Sequence, residues 1–179
     1  MNRSTIRFAE AQYFRQWWLW LGLVGATVLT MGLFGYGGFV QLILGRPWGD
    51  RPMSDTGLLV TALLVSLVDV ALVALFVAGH LRTEARADGL YIRFFPFHLS
   101  FHRLPLAEVR EIEAVTYRPI MDYGGWGIRY GAKGKAYNVS GNRGVRLTYH
   151  SGRHLLIGSQ EPDALAEAVR SLHASGAGG

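Results

Sequence analysis

The side chains that could do chemistry here include two histidine pairs, His98/His102 and His150/His154, each with a four-residue spacing that invites a metal-binding interpretation. Both pairs fall in predicted strand or turn segments, where four residues span ~13 Å, too far for two rings to share one ion. The chain has no cysteine, which excludes thiol nucleophiles, zinc ribbons and iron–sulfur clusters. No Ser/His/Asp order and no paired carboxylates stand out. We therefore expect no catalytic residue, no metal and no cofactor.

A basic stretch between Tyr123 and Gln160 contains no acidic residue. Anionic lipids attract each nearby Lys or Arg by ~1 kcal/mol, so this stretch predicts a surface that binds lipid headgroups or a partner. The alternative is an ordinary basic surface on a chain of net charge +5. Trp126, flanked by glycines, is either an exposed anchor of this surface or a core residue. We expect no nucleic-acid partner. The basic residues of the stretch are Arg129, Lys133, Lys135, Arg143, Arg146 and Arg153.

Two apolar runs must be placed before these residues can be interpreted, Trp17–Leu44 and Gly57–Gly79. Crossing ~30 Å of hydrocarbon takes about 20 apolar residues, so both runs are long enough. The first is about twice the length of a signal-peptide core and is followed by no small-x-small cleavage site, so we expect it to be retained. The charged fraction of 17% is also below the roughly 25% of soluble domains. The sequence predicts a transmembrane hairpin with helices at about 17–44 and 57–79, after a cytoplasmic amphipathic segment, 1–16.

Arginines near the two runs predict the orientation. The connection between the runs carries only Arg46 and Arg51, whereas six arginines flank the outer ends. Both termini are therefore expected in the cytoplasm, with the chain in the plasma membrane. The six flanking residues are Arg3, Arg7, Arg15, Arg82, Arg86 and Arg93.

Small residues predict how the two helices pack, because close backbone approach stabilises helix pairs in lipid. Asp69 falls on this stripe near the middle of the second run. We interpret it as a packing residue, hydrogen-bonded to a hydroxyl or to a second copy; the alternative is a proton or cation relay. The expected packing residues are Gly22, Ala26, Thr30, Ala62, Ser66 and Asp69.

Beyond Gly79 the pattern changes to short strands. The polar residues 80–88 predict a helical stalk, and residues 89–173 a small antiparallel barrel or sandwich of six or seven strands. Expected strands are 90–95, 98–103, 112–117, 128–130, 136–139, 145–149 and 154–158. Glu161–His173 predicts an amphipathic helix that caps them, with Ser159 as its cap, and 174–179 a disordered tail.

This half contains four motifs, GGWGIR (Gly124–Arg129), AYNVSG (Ala136–Gly141), GVRL (Gly144–Leu147) and LLIGSQEPDAL (Leu155–Leu165). Together they resemble bacterial pleckstrin-homology-like (bPH) domains. More narrowly, the chain resembles small membrane proteins of unknown function in which two helices precede such a domain. The resemblance implies a seven-stranded, partly open barrel capped by a C-terminal helix. It implies no reaction, and the Lys/Arg-rich first hairpin loop of lipid-binding members is replaced by Phe95–His98.

The sequence thus predicts an α+β membrane protein with a transmembrane hairpin and a cytoplasmic pleckstrin-homology-like domain. Its expected role is a non-catalytic, membrane-anchored module that binds a protein partner or an anionic lipid surface. The alternative is a subunit of a small oligomeric transport or sensory complex that uses Asp69. Whether copies of the chain associate is left open.

Overall fold

The chain folds into an α+β structure of two apolar helices and two β-sheets. A computed structural model describes residues 6–131 and 133–176. It divides into a helical unit, Arg15–Val77, and a β-unit that combines the N-terminal residues to Phe14 with the chain from Ala78 onward.

The helical unit contains α1 (Trp17–Gly38), a π-helical turn (Phe39–Ile43) and α2 (Asp55–Ala78). Both helices are long and apolar enough to cross a membrane, and almost none of their most apolar stretches is buried. Ser54 caps α2, since its hydroxyl accepts the backbone N–H of Gly57 at 3.1 Å. The prediction of two long apolar helices at these positions is confirmed.

The four-stranded sheet joins the N-terminal residues to the chain that follows α2. It contains β1 (Ile6–Tyr13), β2 (His80–Arg86), β3 (Gly89–Phe95) and β4 (His102–Leu104), in the order β1-β2-β3-β4 with every pair antiparallel. The expected stalk helix at 80–88 is wrong. Its residues favour a helix, but β2 is paired on both sides, with Leu81 and Ala85 in the core. Likewise, residues 6–13 of the expected N-terminal segment form an edge strand.

The five-stranded sheet has the order β5-β8-β9-β7-β6. Because the β8–β9 hairpin inserts between β5 and β7, strand β7 runs parallel to β9, which corrects the all-antiparallel expectation. Among the described residues the two sheets stay open and form no closed barrel. A five-residue helix, α3 (Pro119–Tyr123), lies between β5 and β6. The strands are β5 (Val109–Thr116), β6 (Gly127–Gly131), β7 (Gly134–Asn138), β8 (Arg143–Tyr149) and β9 (His154–Gly158).

Helix α4 (Pro162–Gly176) completes the core shared by both sheets. Its buried stripe, Leu165, Val169 and Leu172, is the one the sequence predicts. The helix continues to Gly176, so residues 174–176 are helical rather than disordered; residues 177–179 lie outside the described part.

Polar side chains attach β1 to the end of β9. Gln12 is 1% exposed and donates from Nε2 to the backbone oxygen of Gly158 at 2.6 Å. Glu10 accepts from the Ser159 hydroxyl at 2.6 Å and from the backbone N–H of Gln160 at 2.8 Å. The Ser159 hydroxyl in turn accepts the N–H of Glu161, just before α4. The two chain ends are therefore joined by hydrogen bonds inside one domain.

Candidate functional site

The outer surface of the four-stranded sheet carries arginines at the alternate positions that the core does not use. On β2 the residues Leu81, Thr83 and Ala85 are buried, so Arg82 and Arg86 project from the opposite surface. Arg93 of β3 lies directly opposite Arg82 in the strand register. Two like charges therefore meet across neighbouring strands, an arrangement that destabilises a sheet unless something compensates it.

Glu84 is the compensating carboxylate for two of these arginines. Its side chain is 4% exposed. One oxygen accepts from Arg82 Nε at 2.9 Å, and the other accepts from Arg86 Nη2 at 2.7 Å and Nε at 2.8 Å. Such charge-assisted hydrogen bonds fix both guanidinium groups in place.

The ring of Phe101 brings the three guanidinium groups together. Its centroid lies 5.9 Å from the Cζ atom of Arg82, 4.7 Å from that of Arg86 and 5.1 Å from that of Arg93. A ring face attracts cations within about 6 Å. We refer to Arg82, Glu84, Arg86, Arg93 and Phe101 as the arginine–aromatic face.

Arg93 is the arginine of this face that Glu84 does not bind. Its Nη2 lies 3.5 Å from His80 Nε2, and its buried Nε has no hydrogen-bond partner in the described part of the chain. The described residues also offer it no carboxylate within ion-pair distance. A half-buried guanidinium with an unused donor is suited to donate hydrogen bonds to the oxygens of a phosphate or carboxylate group.

The turn between β2 and β3 adds a second carboxylate, that of Asp88, and strand β4 adds a fourth arginine, Arg103. Asp88 accepts the hydroxyl of Tyr91 at 2.6 Å, and Arg103 donates to the backbone oxygen of Asp88. The Tyr91 hydrogen bond lowers the pKa of Asp88, and the same bond raises the pKa of Tyr91. Arg86 lies 4.5 Å above the Tyr91 ring. Four arginines and two carboxylates thus lie on this side of the domain, which leaves it positively charged.

Carboxylates from outside the predicted basic stretch neutralise half of that stretch. Lys133 pairs with Asp122 at 2.9 Å and Arg143 with Asp163 at 3.0 Å. Arg146 pairs with a carboxylate of β5 in the same way. The sequence pattern missed these pairs because the acids come from other segments of the chain.

The remaining basic residues of the predicted stretch contact side chains and backbone groups that are close to them in sequence. The amine of Lys135 lies 5.1 Å and 4.7 Å from the ring centroids of Tyr130 and Tyr137. The guanidinium of Arg129 donates to the backbone oxygen of Trp126, and that of Arg153 donates to the Ser151 hydroxyl. Trp126 itself is half-buried, and its indole N–H donates to Gly141 at 3.1 Å.

His98 and His102 are much closer than the sequence predicted. Their ring centroids are 4.2 Å apart, because residues 96–101 form a loop that reverses the chain between β3 and β4. The estimate of ~13 Å assumed a continuous strand and is wrong. Burial, His102 and Lys135 lower the pKa of His98. Nevertheless, no group of three His, Cys, Asp or Glu residues that could hold a metal ion occurs in the described ranges. In the other pair, His154 Nδ1 lies 3.2 Å from the Thr148 hydroxyl, and His150 is exposed.

In the expected packing stripe of α1, Gly22 and Ala26 are exposed and Thr30 is half-buried. A Cβ atom added at Gly22 meets no atom within 4 Å, and the Thr30 hydroxyl donates to Ala26 in its own helix. A close approach that the sequence did not indicate occurs at Gly37, where a Cβ atom would lie 2.6 Å from the Trp48 ring.

The expected stripe of α2 is half-buried. Ala62, Ser66 and Asp69 share this burial. One carboxylate oxygen of Asp69, Oδ2, is buried without a hydrogen-bond partner among the described residues.

A family model described as "Family of unknown function (DUF6141)" matches residues 6–176. These limits coincide with the first residue of β1 and the last residue of α4. No curated protein and no solved structure matches the chain. The two apolar helices and both sheets therefore lie within one family unit.

Proposed function

Because the chain belongs to this family of unknown function, we propose its role from its own chemistry: a non-catalytic module anchored by two transmembrane helices. In this proposal the β-unit is a cytoplasmic, pleckstrin-homology-like domain that binds anionic lipid headgroups. The observation that carries the proposal is the arginine–aromatic face, which is formed by β2, the strand that directly follows α2, by β3 and by the loop after β3. One buried carboxylate binds two arginines there, and the Nε of Arg93 has no hydrogen-bond partner among the described residues.

Exposure of the apolar helices supports membrane insertion. Soluble monomers rarely expose apolar patches larger than a few hundred Å². In this chain, large apolar side chains are exposed along both α1 and α2, including Leu21, Leu29, Leu63 and Leu67. A bilayer would cover them, with both termini on the cytoplasmic side of the plasma membrane because of the flanking arginines.

Strand order supports the pleckstrin-homology-like assignment. Seven strands, β3 to β9, precede one C-terminal helix, which is the order that the resemblance implies. Strands β1 and β2 are additions to that order, and the parallel β7–β9 pair departs from an antiparallel barrel.

Native mass spectrometry of the full chain, released from detergent with phosphatidylglycerol and phosphatidylcholine, tests the lipid proposal. We expect the chain to retain phosphatidylglycerol preferentially and the Arg82→Gln/Arg93→Gln variant to lose that preference. The matched control is Lys133→Gln/Arg143→Gln, since both of its positions are already paired with carboxylates. If only the control variant loses the preference, the basic stretch binds the lipid instead. If neither variant loses the preference for phosphatidylglycerol, neither basic surface of the domain binds headgroups. A protein partner then replaces the lipid as the proposed ligand.

Asp69 supports a second candidate, a subunit of a small oligomeric transport or sensory complex. A buried carboxylate oxygen without a partner inside an apolar helix is costly and is typical of a functional position in membrane proteins. Two helices cannot enclose a pathway alone, so this role requires an oligomer. Size-exclusion chromatography with light scattering in mild detergent measures the oligomeric state, and a monomer contradicts this candidate.

A further inference from the structure

One end of the four-stranded sheet is the end from which both apolar helices continue. In the strand register, Tyr13 lies opposite His80, and His80 lies opposite Phe95. Three residues separate Tyr13 from α1, and one residue separates α2 from His80. Aromatic rings line this end: His80 stacks on Phe95 at 5.6 Å and contacts Tyr13 at 5.4 Å.

The loop between β3 and β4 leaves the sheet from this same end. We call residues 96–101 the anchor loop; its sequence, PFHLSF, contains no Asp, Glu, Lys or Arg. Phe97 is 65% exposed and Leu99 is 80% exposed, although both are large and apolar. The loop then returns through Phe101, whose ring lies over the arginines of the arginine–aromatic face.

We propose that Phe97 and Leu99 of the anchor loop insert into the headgroup–acyl boundary of the bilayer. This inference rests on the proposed membrane insertion of α1 and α2, which brings this end of the sheet next to the lipid surface. Aromatic and aliphatic side chains at the edge of a membrane-anchored domain favour that boundary. Arg82 and Arg93 lie two residues farther along their strands, about 7 Å, where phosphates of the same lipids are within reach of a long side chain. The loop and the arginines therefore bind one lipid surface: the loop makes apolar contacts at the acyl boundary, and the arginines contact the phosphates.

Single-cysteine labelling tests this directly, since the chain has no cysteine of its own. The full chain is labelled with an environment-sensitive fluorophore at Leu99→Cys and reconstituted in nanodiscs that contain lipids with nitroxides near the headgroup. Ala87→Cys is the matched control, because Ala87 is exposed at the opposite end of the same sheet, about 20 Å along β2. Leu67→Cys, exposed in the middle of α2, reports membrane insertion with nitroxides placed deep in the acyl chain.

We expect loss of emission at Leu99→Cys with the shallow nitroxide, no loss at Ala87→Cys, and loss at Leu67→Cys with the deep nitroxide. Phe97→Cys repeats the measurement if Leu99→Cys does not fold. If Leu67→Cys is quenched while both loop positions emit as Ala87→Cys does, the anchor loop stays in water and this inference is wrong, whereas the anchoring by two helices stands. If Leu67→Cys is not quenched either, the membrane proposal itself fails.

Discussion

Replacing Glu84 by glutamine removes the charge that aligns the arginine–aromatic face while keeping the side chain's shape. The Glu84 carboxylate accepts three hydrogen bonds from Arg82 and Arg86 and is 4% exposed. Removing one partner of a fully buried ion pair costs about 3–5 kcal/mol. Here Arg82 and Arg86 are 46% and 26% exposed, so water recovers part of that loss. We therefore expect Glu84→Gln to lower the free energy of unfolding by about 1–3 kcal/mol.

Thermal unfolding of the full chain in nanodiscs, followed by circular dichroism, measures this cost. For a chain of this length, about 1–3 kcal/mol corresponds to a fall in Tm of roughly 3–10 °C. Glu113→Gln is the matched control, because Glu113 and its partner Arg146 are 38% and 39% exposed. Exposed pairs contribute about 0–1 kcal/mol, so the control should change Tm little. Equal Tm values for the two variants would refute the reasoning that burial makes the Glu84 pair strong.

Glu84→Gln should strengthen lipid binding, although it lowers the stability of the chain. It removes one negative charge from the face, and a unit charge near an anionic surface is worth about 1 kcal/mol, or roughly a fivefold change in affinity. We expect Glu84→Gln to retain more phosphatidylglycerol in the native mass spectrum although it is less stable. A loss of retention would show that the carboxylate is needed to orient the arginines.

Three further predictions concern other parts of the chain. Asp69→Asn should leave hairpin or oligomer formation intact, because an amide keeps hydrogen-bonding groups at this position, whereas Asp69→Leu should weaken it. Crosslinking in membranes measures both variants, and equal behaviour contradicts a packing role. Burial raises the pKa of Tyr117 to about 12, so stability from its bound proton is present below pH ~10 and lost as the pH rises towards 12. The free energy of unfolding, measured with urea across that pH range, should fall less steeply with pH in Tyr117→Phe than in the unmodified chain. Identical slopes would contradict a stabilising role of the Tyr117 proton. Gly144→Ala should lower Tm because its Cβ would lie 2.4 Å from the backbone oxygen of Ile157. Gly22→Ala is the control and should leave Tm unchanged, because its Cβ would meet no atom within 4 Å. Equal Tm values for the two variants would contradict the close packing of β8 against β9.

Most of the fold could be predicted from periodicity, but β1, β2 and α3 could not, and the strand expected at 98–103 begins only at His102. The helices, β3, the strands of the second sheet and α4 have apolar residues at regular spacing, so their positions follow from the sequence. On β1, however, the inward residues include Glu10 and Gln12, which bond to the far end of the chain. Strand β2 contains good helix formers, and only its pairing on both sides makes it a strand. Local sequence cannot reveal either cause.

The candidate site was half visible in the sequence. Arg82, Arg86 and Arg93 stand out as charges beside an apolar run, but their spacing does not show that one carboxylate and one ring gather them. The basic stretch looked free of acids because Asp122 and Asp163 lie outside it in sequence and beside it in space. The distances between these charges depend on the strand register and on the loop that reverses the chain. Neither can be predicted from the spacing of residues in the sequence.

The hydrogen bonds of Glu10 and Gln12 impose an order on how the chain matures during synthesis. The first strand leaves the ribosome about 150 residues before its acceptor and donors at Gly158, Ser159 and Gln160 are made. Until then, two polar side chains of the nascent domain have only water as a partner. A chain that stops before residue 158 would leave both side chains without these partners, so β1 completes its contacts only after β9 has been made.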